Sequence, residues 1–234
     1  MAEQKRTAKK MTITKLRIPL DIVMTLLSII LMGGAYLFPA DIVHEIIGAA
    51  LFVLWAVHIT LNRKWYGSMF HGKYNSLRIM QTIINCGIFV CVIFLMISGI
   101  ILSNHIFTFL GIEIGLGFAR IVHLLASHWY FMFMSFHIGL HAGMIAKKIA
   151  GSSRTMTNAG RAKILVCRIM LALLCIYGLH AFITRGVWRY LILQQQFFFL
   201  NLEKGYILFF VDYFAILSLL AAITHFIGKI IKKK

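Results

Sequence analysis

The chain has few charged residues, and acidic residues are the scarcest of them. Charged side chains make up 13% of the 234 residues, and only 7 residues are Asp or Glu. A typical soluble domain has roughly 25% charged residues. This composition excludes an ordinary soluble globular domain, and no pair of carboxylates suited to acid–base catalysis is evident.

Several motifs of enzymes and metal-binding modules are also missing. The chain has 4 cysteines, but none forms a Cys-x-x-Cys or Cys-x-x-Cys-His motif. The sequence therefore indicates neither a zinc ribbon nor covalently attached c-type haem. It contains no P-loop, dinucleotide-binding fingerprint or hydrolase nucleophile elbow, which argues against a self-contained hydrolase or NTPase.

Hydrophobic residues make up 60% of the chain and occur in long runs separated by short basic stretches. This pattern predicts an all-α membrane protein with six transmembrane helices, each near the roughly 20 residues needed to cross a bilayer. Pro19 would lie in the first turn of the first helix, and Asp41 would be the N-cap of the second. The predicted spans are residues 19–38, 42–62, 79–103, 119–146, 163–184 and 206–229.

The basic residues alternate between the connections of the predicted spans. The formal net charge of +17 would suggest nucleic acid in a soluble protein. Here the charges flank apolar spans, where they orient helices and meet the lipid bilayer, so we expect no nucleic-acid partner. The positive-inside rule places the basic segment 1–18, the loop 148–162 and both termini in the cytoplasm. The protein would thus be a multi-pass protein of the cytoplasmic (inner) membrane.

The predicted fifth connection, residues 185–205, is rich in aromatic residues and would lie at the outer surface. It contains three basic residues among its aromatic side chains. We interpret it as an interfacial amphipathic segment, and a partly re-entrant segment is the alternative.

Two pairs of histidines occur at the same spacing in the second and fourth predicted spans. His44 and His58, and likewise His123 and His137, are separated by 14 residues. On an α-helix this is a rise of about 21 Å and a rotation about 40° short of four turns. Because the charge pattern makes the two helices parallel, His44 would pair with His123 and His58 with His137. Ionisable groups within a membrane are costly and indicate a functional site.

Two imidazoles on facing helices can hold a b-type haem, one on each side of the iron. The two histidine pairs therefore predict two haem b groups at different depths of the membrane. Residues 19–147 would form a four-helix di-haem core, and residues 163–234 would add two further transmembrane helices.

The same site needs room for a flat ring and cations for its propionates. Gly48 follows His44 by one turn on the same face, as Ser127 follows His123, and such small residues would let the ring approach the backbone. Arg120 at the outer end would bind propionates. At the inner end the candidates are Arg63, Lys64 and Asn62.

Other histidines leave alternatives open. His141 lies one turn beyond His137 and competes with it as the inner ligand, or it could contact a propionate or a quinone headgroup. His128 is about 140° around the helix from His123 and is expected to face elsewhere, although His128 and His141, 13 residues apart, form an alternative pairing. The histidines that we expect to be non-ligands are His71, His105, His180 and His225.

Two isolated polar residues also lie within predicted spans, Asn85 in the third and Asp212 in the sixth. Either could contact a quinone or relay protons. Interhelical hydrogen bonding is the interpretation that we favour.

Two segments resemble a family of small bacterial membrane b-type cytochromes. They are His44-Glu45-Ile46-Ile47-Gly48 running on to residues 58–65, and residues 120–127 followed by 137–141. The family is catalogued as a domain of unknown function and is associated with flavinylated extracellular electron transfer. Its core looks like the di-haem core of respiratory cytochrome b and of the cytochrome b subunits of formate dehydrogenases.

The resemblance covers residues 20–146 well and the last two spans loosely. His128 stands where the family is expected to have an aromatic residue. The resemblance implies b-type haem, electron transfer across the cytoplasmic membrane and a partner that carries flavin.

The resulting expectation is an electron carrier or the membrane subunit of an oxidoreductase rather than a stand-alone enzyme. It would pass electrons from the quinone pool to a flavin-carrying or iron–sulfur protein. One alternative is a transporter whose histidines bind a metal ion or relay protons, which requires ligands clustered at one depth with acidic residues nearby. Another is a membrane anchor subunit, which would tolerate replacement of the histidines.

Overall fold

The computed structural model describes residues 2–150, 158–203 and 205–233, with side chains described for 16–143, 162, 164–203 and 205–232, and every regular element in these residues is a helix. This part of the chain contains two short 3-10 helices, Ala35–Leu37 and Thr108–Leu110. Its α-helices are α1 (Ala2–Leu31), α2 (Ile42–Leu61), α3 (Arg63–Ser68), α4 (Ser76–Ile101), α5 (Leu116–Ala150), α6 (Asn158–Thr184), α7 (Val187–Leu191) and α8 (Gly205–Lys233).

Some predicted segments extend beyond the described residues. Residues 151–157 of the predicted loop 148–162 lie outside them. So do Lys204 of the predicted outer connection and the side chains of residues 1–15 in the basic N-terminal segment.

Four helices are long and apolar enough to cross a membrane. Many of their large hydrophobic side chains are exposed on the protein surface, which is favourable in hydrocarbon and costly in water. The predicted all-α class is therefore confirmed for the described residues, and the four apolar helices indicate a membrane-embedded protein. The four segments are Ile42–Leu61, Ser76–Ile101, Ile164–Thr184 and Gly205–Lys232.

The predicted first and fourth spans are also helical, but over the described residues α1 and α5 are not among these four helices. α5 carries four histidines between residues 123 and 141, and these imidazoles lower its hydropathy. The described side chains of α1 begin at Leu16 and include Arg17 and Asp21. Four of the six predicted spans thus coincide with helices that are long and apolar enough to cross a membrane.

α1 differs from its predicted bounds, 19–38, at both ends. It begins at Ala2 because residues 2–10 are mostly good helix formers. Pro19 therefore lies inside the helix, and its predicted place in the first turn was wrong. The helix ends at Leu31 because glycines follow, and Gly34 has a φ of +65°, a conformation that glycine adopts without strain.

The described chain forms two compact units, of which the first is Met1–Lys73 with Met96–Ala119. α1 packs along α2 within this unit. Arg17 Nη2 donates a hydrogen bond to the Leu61 carbonyl at 2.6 Å, so the guanidinium satisfies a carbonyl group at the C-terminal end of α2.

Two acidic residues connect the start of α2 to the segment after α4. Glu45 accepts hydrogen bonds from the Ser103 hydroxyl at 2.6 Å and from backbone N–H groups of residues 104–106. Asp41 occupies the predicted N-cap position but makes no capping hydrogen bond with its side chain. It accepts one from His105 Nε2 at 2.7 Å instead, and this hydrogen bond lowers the pKa of Asp41.

The second unit is Tyr74–Leu95 with Arg120–Lys234. Within this unit α6 packs along α8. A Cβ built on Gly178 of α6 would overlap the Ala215 carbonyl of α8, and one on Gly139 of α5 would overlap the Ala221 carbonyl. Glycine therefore lets α5 and α6 approach α8 closely, as small residues commonly do in membrane helix bundles.

Candidate functional site

The four paired histidines lie on two long helices. His44 and His58 are on α2, in the first compact unit, and His123 and His137 are on α5, in the second. Each is partly buried. On both helices the two imidazoles are therefore about four turns apart.

His58, near the C-terminal end of α2, is hydrogen-bonded to a carboxylate from α1. Its Nδ1 lies 2.9 Å from Asp21 Oδ1. An ionised carboxylate only accepts hydrogen bonds, so Nδ1 carries the hydrogen and the lone pair of the neutral ring is on Nε2. Metal-bound histidines commonly have such a partner, which fixes the tautomer and the orientation of the ring. The contact with Asp21 therefore gives His58 the tautomer that a metal ligand bound through Nε2 requires.

His137 has a comparable partner on α4. Its Nδ1 lies 2.8 Å from Asn85 Oδ1, and because this amide oxygen accepts, the neutral ring again has its lone pair on Nε2. The interpretation of Asn85 as a residue that forms an interhelical hydrogen bond is confirmed.

His141 lies beside His137, with ring centroids 4.7 Å apart and ring planes at 63°. Either imidazole is thus near the position expected for the inner ligand. The Asn85 hydrogen bond places the hydrogen of His137 on Nδ1 and the lone pair on Nε2, the tautomer that a ligand bound through Nε2 needs.

Near the N-terminal end of α2, the His44 ring lies close to the backbone of Gly34. A Cβ built on Gly48 would meet no described atom within 4 Å, whereas one built on Gly87 of α4 would overlap the Phe133 ring. The surface of α2 one turn after His44 is therefore open, as the approach of a flat ring requires.

The predicted propionate partners differ in their availability. Arg120 near the start of α5 and Arg63 at the start of α3 are exposed, as is Lys64, so their cationic groups are accessible to an anion. The Asn62 amide donates to the His58 carbonyl at 2.9 Å, and the Ser127 hydroxyl donates to the Leu124 carbonyl at 2.8 Å. The polar groups of these two side chains are therefore hydrogen-bonded to backbone carbonyl groups one turn earlier in the chain.

His128 faces α7, where its ring stacks on Tyr190 with centroids 4.3 Å apart and planes at 18°. Its side chain is buried, and Nδ1–H donates to the Leu124 carbonyl at 2.8 Å. Its Nε2 has no hydrogen-bond partner among the described residues. His128 thus packs against the aromatic segment that follows α6.

Asp212, the isolated acid of the last span, is paired with groups at the end of α6. Its Oδ2 lies 2.8 Å from both Nε and Nη2 of Arg185, and its Oδ1 accepts a hydrogen bond from the Tyr177 hydroxyl. Arg185 Nη1 also donates to the Asn201 carbonyl at 2.6 Å. These contacts confirm the interhelical interpretation of Asp212.

Asp21 is the residue of this site that sequence reasoning missed. It is an isolated carboxylate in an apolar run, which is the same signal that drew attention to Asp212. α1 carries no histidine, so there was no reason in the sequence to assign one of its residues to a haem site.

Haem b fits the chemistry of this donor set. His58 and His137 have an acceptor at Nδ1, Gly48 has open space beside it, and exposed arginines are available to propionates. Among the described residues, no group of three or more His, Cys, Asp and Glu side chains could hold a metal ion by itself. No protein-family model, curated protein or solved structure matches the chain.

Proposed function

We propose that this chain is a membrane electron-transfer protein that binds two haem b groups. His44 and His123 would hold the iron of the outer haem, and His58 and His137 that of the inner haem. The observation that carries the proposal is the equal spacing of 14 residues on two helices, because it supplies two imidazole pairs at two depths.

The partners of the inner histidines support this assignment. Asp21 and Asn85 accept from Nδ1 of His58 and His137 respectively. In each case the neutral ring then offers Nε2 to iron, which is the arrangement that haem ligation needs.

We further propose that α1 and α5 cross the cytoplasmic membrane together with the four apolar helices. Six spans would place both termini in the cytoplasm, with His58 and His137 near the inner surface. The basic connections support this orientation. The inner haem would then face the quinol pool, and the outer haem would face a flavin-carrying or iron–sulfur partner.

In this scheme, haem iron supplies reversible one-electron chemistry, and the protein supplies ligands, burial and local charge. The four histidines would bind the iron, and Gly48 would leave space for the ring. Arg120 and Arg63 would neutralise propionates at the outer and inner ends respectively. The aromatic connection after α6 is a candidate surface for the outer partner.

A haem count tests the proposal. The chain is produced with ample haem, purified in detergent, and analysed by its reduced spectrum and by extraction of the haem. We expect two haem b per chain in the wild type and one in His58→Ala, which lacks an inner ligand. His180→Ala, which removes another histidine from a membrane helix, should retain both.

Wild-type protein that folds but binds no haem would contradict the proposal. Retention of both haems by His58→Ala would show that the ligands are wrongly assigned. The same measurement on His137→Ala and His141→Ala identifies the fourth ligand, because only one of these two variants should lose a haem.

A further inference from the structure

The two proposed inner ligands share a feature that was not apparent from their spacing. Each has Nδ1 within hydrogen-bonding distance of a side-chain oxygen from another helix. The distances are 2.9 Å from His58 to Asp21 and 2.8 Å from His137 to Asn85. α1 and α4, which carry no proposed ligand, thus each contribute one polar side chain to a proposed haem ligand.

The two side chains that accept these hydrogen bonds differ in charge. Asp21 offers a carboxylate and Asn85 a neutral amide. A carboxylate that accepts from Nδ1–H increases the basicity of a ligating imidazole more than an amide does. If both histidines bind one iron, the His58 side is the stronger electron donor. A stronger donor stabilises the more positively charged ferric state.

We infer that Asp21 and Asn85 are positioning residues of the inner haem site, holding His58 and His137 with Nε2 toward the iron, and that the Asp21 carboxylate lowers the reduction potential of that haem. This inference rests on the proposed function. It adds to that function the residues that would set the potential of the inner haem.

The positions of the two residues support this role. An isolated carboxylate or amide is costly in an apolar helix and is retained where it has a partner. Asp21 is half-exposed, with 54% of its side-chain surface accessible, while His58 is 24% accessible. The carboxylate thus keeps an accessible surface while it accepts the hydrogen bond from the imidazole.

Redox titration of the purified di-haem protein tests the inference through potential rather than activity. Asp21→Asn keeps the shape of the side chain and removes its charge, so the midpoint of the inner haem, identified as the one missing from His58→Ala, should rise. Asn85→Asp introduces a charge at the equivalent hydrogen bond, so the midpoint of the same haem should fall. For each variant we expect about a tenfold change in the reduction equilibrium, equivalent to about 59 mV for one electron.

Asp41→Asn is the matched control. It makes the same substitution at a carboxylate that also accepts from a histidine, His105, which is not a proposed ligand. Its effect on the inner midpoint should be much smaller. Asp21→Glu, which keeps the charge, should restore a midpoint closer to that of the wild type than Asp21→Asn does.

The outcomes separate this inference from the proposed function. Wild-type protein without haem would overturn both. Two bound haems with midpoints that move no more in Asp21→Asn and Asn85→Asp than in Asp41→Asn would overturn the inference alone. Because both variants are isosteric with the native residue, the potentials can be compared at unchanged haem content. A variant that instead loses the inner haem supports the positioning role, provided that Asp41→Asn retains it.

Discussion

At the scale of single residues, His128 shows the difference between a buried histidine and a ligand. It is 1% exposed, and its ring is held by stacking on Tyr190 and by the hydrogen bond to Leu124. Its other nitrogen, Nε2, has no partner within the described part of the chain. Such an unmet buried acceptor costs about 1–3 kcal/mol. The useful contribution of His128 is therefore the packing of its ring.

Replacement of His128 tests this interpretation. His128→Phe keeps a flat ring against Tyr190 and removes the unmet acceptor, so we expect a melting temperature equal to or above that of the wild type. His128→Ala leaves a cavity and should destabilise the protein by on the order of 3 kcal/mol. Thermal unfolding in detergent measures both effects. Both variants should keep two haems, and loss of one in His128→Phe would instead identify His128 as a ligand.

The candidate site could be predicted only in part from sequence. Spacing along one helix places His44 and His58 on one face, because that relation depends only on helix geometry. The partners Asp21 and Asn85 come from other helices, and such contacts depend on the rotation and depth of both helices. Asn85 was noticed as a polar residue, but nothing in the sequence paired it with His137.

At the scale of helices, long apolar runs predicted element bounds well. α2 was expected at 42–62 and extends over Ile42–Leu61, and α4 was expected at 79–103 and extends over Ser76–Ile101. The predicted start of α1 was wrong because hydropathy indicates only the part of a helix that can enter lipid. The polar residues before Pro19 also favour the helical conformation, so the helix begins earlier. Membrane bounds and helix bounds are therefore separate predictions.

The Arg185–Asp212 pair holds helices together at the end of α6. The two side chains are only 13% and 9% exposed, so removal of one partner leaves a largely buried charge, at a cost of about 3–5 kcal/mol. We expect Asp212→Asn to lower the melting temperature strongly. Adding Arg185→Gln to that variant should recover part of the loss, because no unpaired charge remains.

A double-mutant cycle of thermal unfolding measures this coupling. The Tyr177→Phe variant is the control, since it removes a hydrogen bond from a neutral donor to the same carboxylate and leaves the ion pair in place, so it should cost only about 1.5–3 kcal/mol. Additive effects of Asp212→Asn and Arg185→Gln would mean that the ion pair does not connect α6 and α8 energetically.

At the scale of the whole molecule, the number of membrane spans determines which connections share a side. If only the four apolar helices cross, the connection after α2 lies opposite the termini and the connection before α5 lies with them. If α1 and α5 also cross, both assignments are reversed. α5 has lower hydropathy because of its histidines, the same residues that we propose as ligands and neighbours of haem. Burial against haem and partner helices would offset the cost of placing those imidazoles in the membrane.

Cysteine labelling in intact cells distinguishes these arrangements. In a background in which the four native cysteines are replaced, Phe70→Cys and Glu113→Cys place single thiols at exposed positions after α2 and before α5. With six spans and cytoplasmic termini, a membrane-impermeant maleimide should label the cysteine at position 113 in intact cells and the one at position 70 only after lysis. Lys232→Cys, near the C-terminus, should be protected in either arrangement and serves as the control.

The reverse labelling of positions 70 and 113 would exclude crossing by α1 and α5. It would also remove the parallel orientation of α2 and α5 on which the pairing of His44 with His123 and of His58 with His137 depends.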